Sequence, residues 1–412
     1  MRIALYEPNN DGHRYTHLKR LLPTLAGLGK VTVVTSKEGA ASKQFEAQLR
    51  GVSHLFDLDA SMPLTDPQGP AYLNHVAEHL RRVASTPGID HVLMPYCDGT
   101  IQKAGQMRLT GRFTVPASVE IEGLMMRGLF AYETGGGLKR ALKTRAWLTL
   151  TGAAPFRIIH HMDPIVYRAI AKQAPGLARR VRLIPDPVEH FVPPAPAAAR
   201  KTLGIPEDGR YIGCVGYQDR RKGIDRLIRA FLAAKLAPSD RLLLAGGHAK
   251  EIKDLLAGEA ANAIAQGRIV SLARYVSDDE LCLAVSALDV VCTPYPPDSG
   301  HSGSSSIVIH AAGQGRPVLG CDFGWVGDTI RRFGLGTTCN VLDNAAFAQA
   351  IEHALQSRGT FTPTEGAQRF AAFHRPENFA ACFTRRLRER LNLPRLEGLK
   401  DWEWVEQAAQ RV

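Results

Sequence analysis

Two doubly wound α/β domains are what this sequence predicts, and three observations predict them. Short, wholly apolar runs alternate with amphipathic segments along most of the chain; parallel strands covered by helices on both faces read this way. At 412 residues the chain exceeds what one ordinary core fills. A stretch with five prolines, VRLIPDPVEHFVPPAPA at 181–197, interrupts the alternation once near the middle. Proline fixes φ and lacks a donor, so such a run connects elements and stays out of central strands.

The elements follow in order. RIALY (2–6) is a first strand and reads as that, not as a signal peptide, since Glu7, Asn9 and Asp11 end the apolar run. Leu18, Leu21, Leu22, Leu25 and Leu28 recur at helical spacing over 13–28. VTVVT (31–35) is β-branched and strand-like. A helical pattern covers 71–84, and strands are expected at 91–95, near 113–119 (FTVPASV) and at 156–160. Beyond the prolines come strand 211–216, helix 223–235, strand 241–246, helix 248–265, strand 268–272, helix 277–287, strand 289–295, a helix from about 304 and strand 316–321. The domains are therefore expected at 1–187 and 188–375. A C-terminal helical segment, 376–412, carries an amphipathic helix at 377–393.

Composition excludes several classes. No run approaches the roughly 18–20 apolar residues of a membrane span. Seven cysteines, at 97, 214, 282, 292, 321, 339 and 382, lie scattered without a CxxC pair; this suits buried free thiols in a reducing cytosol better than zinc or disulfides. The net charge of +11 is uneven: residues 1–190 hold 24 Lys and Arg against 16 Asp and Glu, the remainder 27 against 24. An excess of that kind attracts anionic surfaces or phosphorylated partners. Nucleic acid is not expected, because charge is its only support. Within the basic half, GGGLKRALKTRAWLTL (135–150) sets Lys139, Arg140, Lys143 and Arg145 beside an apolar side of Leu138, Leu142, Trp147 and Leu148. As a helix, this segment suits docking to anionic headgroups. His160, His161 and Asp163 resemble metal ligands only at a glance, since adjacent histidines point apart; no metal is expected.

Ligands of doubly wound sheets sit at the carboxyl ends of strands, so the loops there carry the chemistry. VGYQDRRKGID (215–225) delivers Arg220, Arg221 and Lys222 before a glycine and a helix start, an arrangement suited to a diphosphate. AGGHAKE (245–251) turns on a glycine pair. In VSDDEL, Ser277 and Glu280 form a capping box. PPDSGHSGSSSIVIHAAGQGRPVL (296–319) empties a glycine- and serine-rich loop into a helix, whose free amides, with Ser304, Ser305 and Ser306, can hold an anion.

The order and spacing of these motifs resemble the donor-binding domain of GT-B retaining glycosyltransferases, family GT4, over about 211–332. The first half is similar more loosely, through RIALYEPNNDGHRYTHLKRLLPTL and the phrase LIPDPVE. The resemblance implies a GT-B architecture, with 1–187 on the acceptor side and 188–375 binding a nucleotide-diphosphate sugar. That donor is a substrate, so no cofactor is implied. It also implies sugar transfer with retention and without a metal; the free thiols add the expectation of a cytoplasmic protein, and the basic segment that of contact with the inner face of a membrane. The acceptor would be a glycan, a lipid-linked sugar or a small molecule. Lys222 stands where the family's diphosphate lysine stands and Gly216 where its glycine stands. Tyr217 replaces the usual arginine, a role open to Arg220 or Arg221, and the backbone around Tyr275 takes the place of the nucleobase site. The family's paired glutamates correspond to Ser302 and His310, where the sequence departs from the pattern. On the acceptor side, His13 of the first βα loop and Glu120, following the expected strand 113–119, are the candidates, with Glu122 as an alternative. A catalytically silent GT-B protein that binds a nucleotide or glycan, and a sugar-nucleotide epimerase, share the same fold.

Overall fold

The computed structural model describes residues 1–9, 14–62, 71–126, 128–132, 137–297 and 303–409. The chain divides into two compact units. One comprises residues 1–185 and 376–399; the other comprises 186–375 and 400–412. The segment 376–412, expected as one piece, is thus shared between them.

The first unit is built on seven strands, β1 (Arg2–Tyr6), β2 (Lys30–Ser36), β3 (Asp57–Met62), β4 (His91–Met94), β5 (Glu120–Met125), β6 (Phe156–His161) and β7 (Val181–Leu183). They form one parallel sheet in the order β3-β2-β1-β4-β5-β6-β7. β1 and β4 are buried along nearly their whole length, which explains their unbroken apolar runs. One face packs on Val76, Leu80, Ile101 and Ala104. The opposite face packs on Leu18, Leu21, Leu22 and Leu25 of helix Arg14–Ala26 and on Phe379, Phe383 and Leu387 of the returning C-terminal segment.

The second unit holds β8 (Tyr211–Val215), β9 (Arg241–Ala245), β10 (Ile269–Leu272), β11 (Val290–Thr293), β12 (Val318–Cys321) and β13 (Gly336–Cys339). This sheet is also parallel, in the order β10-β9-β8-β11-β12-β13. Strand order reverses between β8 and β11, and between β1 and β4 in the first unit. A doubly wound sheet opens its binding crevice at such a switch point. The expected capping box is present: Ser277 Oγ accepts from the Glu280 amide, and the Glu280 carboxylate accepts from the Ser277 amide.

One strand lies elsewhere than expected. Residues 113–119, which contain Pro116, form no strand, and β5 begins at Glu120. Among the described residues no helix is long and apolar enough to cross a membrane.

Candidate functional site

The carboxyl edge of the second sheet gathers most of the predicted residues. After β8, a short 3-10 turn spans Arg220–Lys222, capped by Asp219, whose carboxylate accepts the Lys222 amide at 2.9 Å. The turn folds Lys222 back over the loop, so that a Cβ on Gly216 would lie 3.0 Å from its ammonium nitrogen. Lys222 is half-buried, and no carboxylate pairs with it among the described residues. Arg221 lies 3.5 Å from Asp219, while Arg220 is exposed. Gly223 presses against the loop after β11, where a Cβ would sit 2.0 Å from the carbonyl of Pro294. Loops 216–223 and 294–297 therefore meet at the switch point.

Within the second loop, Ser305 exchanges a hydrogen bond with the buried Tyr295 hydroxyl at 3.0 Å, and Ser304 donates to Asp186 at 3.2 Å. Among the described residues no side chain caps the start of helix Ser306–Gly313, which leaves its first amides as anion donors. Cys282 Sγ lies 3.7 Å from His310 Nδ1 on this helix, and burial, with Asp278 and Asp279 nearby, pushes that thiol up to about 11. Beside His310 a cavity of about 290 Å³ opens along the helix, lined by Glu189, His190 and Arg375 among others. Sequence reasoning missed these three, which come from the two ends of the unit's 186–375 stretch. Tyr275 projects from the loop after β10 with 83% of its surface exposed, and Tyr217 is 55% exposed. The structure brings Tyr217 onto Gly247. Ser302 lies outside the described residues.

In the first unit His13 also lies outside them. Glu120 opens β5, at the amino edge of the sheet and away from the ligand edge. The expectation assumed a preceding strand and a position at the carboxyl end. Instead, Arg386 grips both carboxylate oxygens, at 2.6 and 2.8 Å. Burial would raise the Glu120 carboxyl, but this pair outweighs it and holds the group below its ordinary range.

Glu122, two residues on, is wholly buried between two histidines. His160 Nε2 donates to Oε2 at 2.8 Å, and His91 Nε2 lies 3.0 Å from Oε1, close but off the hydrogen-bond line. Burial alone would raise the carboxyl. The two imidazoles overcome that and lower it to about 2. Arg390 donates to His91 Nδ1 at 3.3 Å and to the carbonyl of Asp90 at 2.8 Å. His91, Glu120 and Glu122 come near enough to share an ion, but Arg386 already holds Glu120 and Arg390 stands beside His91. Two guanidiniums make this a poor cation site. His161 is separate: it accepts the Asp163 amide at 2.9 Å, and burial lowers it to about 3. At the carboxyl edge of this sheet, Arg14 pairs with Glu7 at 2.9 Å and lies over the Tyr96 ring. The fragments EPN after β1 and PYCD after β4 were the signals for this cluster.

Residues 209–357 match the family described as glycosyl transferases group 1. The chain superposes on sucrose-phosphate synthase from Thermosynechococcus elongatus with a TM-score of 0.68 and 19% identity, covering 95% of this chain and 99% of that one. For the Anabaena HepE protein in complex with UDP the values are 0.59, 14%, 99% and 98%. For a glycosyltransferase from Rickettsia africae they are 0.62, 12%, 95% and 97%. The fold is GT-B, and the chain resembles the group 1 glycosyltransferases. No curated protein sequence matches it. The matched span contains the Lys222 turn, the capping box and the His310 helix, the features on which the sequence resemblance rested.

Proposed function

We propose that the protein is a glycosyltransferase that moves a sugar from a nucleotide-diphosphate sugar to an acceptor, its second unit holding the donor. Lys222 carries the proposal: a half-buried ammonium folded over Gly216, with no carboxylate partner among the described residues. Holding a cation there is costly unless an anion meets it. The uncapped helix at Ser306 supplies further donors on the neighbouring loop. Together these groups would stabilise the diphosphate as it leaves. The HepE structure contains UDP, in keeping with such a donor. Retention and metal independence are part of the same proposal, and their support is the family resemblance.

The first unit would receive the acceptor. Its helix Leu138–Ala153 leaves Leu138 and Leu142 77% and 58% exposed, with Lys139 and Lys143 beside them. This supports docking to anionic headgroups at the cytoplasmic face of a membrane. A second reading, a nucleotide-binding protein without transfer activity, is favoured by one observation: Ser302 and His310 supply no carboxylate where the resemblance expects two.

Incubation with UDP-, GDP- and ADP-sugars, with and without glycan acceptors, separates these readings. Release of nucleoside diphosphate is the expected result. Binding without release from any donor would establish the second reading, and recovery of an epimeric donor would make the protein an epimerase.

A further inference from the structure

Gln218 lies fully buried in the loop after β8. Its carboxamide nitrogen donates to three carbonyls, those of Gly216 at 2.6 Å and of Cys214 and Ala245 at 3.2 Å each. His248 treats the next loop in the same way. Its Nδ1–H donates to the Gly246 carbonyl at 2.7 Å, and Nε2 meets the Ser271 hydroxyl at 2.9 Å. The loops are also joined directly, through the Gln218 amide to the Gly247 carbonyl at 2.8 Å and the Ala249 amide to the Gln218 carbonyl at 2.9 Å. Gly246, at φ 132°, allows this approach; a Cβ there would lie 2.0 Å from the Gly216 oxygen.

Four carbonyls at the ends of β8 and β9 and in the loops that follow thus face side-chain donors; that of Ala245 also accepts the Gly216 amide at 2.9 Å. In a trans peptide the C=O and N–H point in opposite directions. With the Gly216 oxygen held by Gln218, the Tyr217 amide faces away from it. That amide donates to no backbone acceptor among the described residues, and it lies one residue from the glycine that Lys222 overlies. The arrangement leaves Gln218 Oε1 buried without a hydrogen-bond partner among the described residues. An apolar side chain of equal size would avoid that cost, so it is the nitrogen's three bonds that distinguish glutamine here.

We propose that Gln218 is a positioning residue for the donor's diphosphate: it holds the Gly216 carbonyl on its own side of the loop and so presents the Tyr217 amide to the anion beside Lys222. This rests on the reading that the second unit binds a nucleoside diphosphate.

The test uses the full chain, with UDP as probe and uridine, which carries no phosphate, as reference. Gln218→Met keeps the shape and removes the donors. It should weaken UDP about tenfold and leave uridine within twofold, and its loss should be less than additive with that of Lys222→Ala, because both groups serve one anion. Hydrogen exchange on the wild-type protein gives a second readout that needs no variant to fold: the Tyr217 amide should exchange readily alone and become protected by UDP. If Lys222→Ala loses UDP affinity while Gln218→Met retains it, or if UDP leaves the Tyr217 amide unprotected, the positioning role fails and the donor reading stands. Equal losses for UDP and uridine would mean general loosening and would also overturn it. If the wild-type protein binds none of UDP, GDP and ADP, both readings fall.

Discussion

Replacing Glu122 by glutamine tests the electrostatics of the first unit most directly. Its carboxyl is held at about 2 against an ordinary 4.5, which corresponds to about 3 kcal/mol of stability. Because the folded value is depressed, that stability is present above pH 4.5 and is lost as pH falls toward 2. At pH 3.5 roughly 2 kcal/mol should remain. In Glu122→Gln the amide oxygen can accept from only one imidazole. Arg390 donates to His91 Nδ1, which fixes the proton of that ring on Nε2. His160 Nδ1 has no partner among the described residues, so His160 alone can change tautomer, at the cost of burying an unpaired N–H. The loss at pH 7 should therefore be about 3 kcal/mol, in the range for breaking a buried pair. The assay is hydrogen exchange of peptides from β4, β5 and β6, with wild type and variant compared at the same pH. This reads the first unit alone, which a global unfolding signal from a two-unit chain does not. The gap between the two proteins should narrow by about 1 kcal/mol from pH 7 to pH 3.5. A gap that stays constant with pH would refute the electrostatic account, and no gap at pH 7 would refute the network altogether.

Three further outcomes are expected. Lys222→Ala should weaken UDP binding at least tenfold, about 1.4 kcal/mol, in a calorimetric titration; unchanged affinity in a folded variant would remove Lys222 from the site. Burial raises the Asp163 carboxyl to about 6 although Tyr132 and two helix amides favour its charged form. The folded state thus favours the protonated acid, and stability is lost as pH rises from 3.8 through 6. Asp163→Asn, which still caps helix Pro164–Gln173, should raise the melting temperature at pH 7 and not at pH 4; a lower value at both would show that the cap needs a carboxylate. The wild-type chain should sediment with anionic liposomes at low salt and not with neutral ones. Neutralising Lys139, Arg140, Lys143 and Arg145 together should abolish this, and the absence of wild-type binding at low salt would exclude membrane docking through this helix.

Much of the fold was legible because its signals are local. A strand buried on both faces must be apolar throughout, as RIALY and YIGCV are. A helix such as Arg14–Ala26 must place leucines three and four apart. The Ser277 box and the Lys222 turn are likewise set within a few residues. Strand 113–119 was misread because alternating apolar residues mimic a strand where Pro116 prevents one, and the error carried Glu120 to the wrong end of the sheet.

What tertiary structure alone decided is which distant residues share a space. His91, Glu122 and His160 come from three strands that meet only by parallel pairing. Arg386 reaches Glu120 across 266 positions, because the chain returns to the first unit for 376–399 before ending in the second. Gln218 and His248 drew no notice in the sequence, since the carbonyls they hold become a set only when neighbouring strands end side by side. Periodicity records which way a side chain faces and carries no information about what waits there; that depends on pairings between segments far apart in the chain.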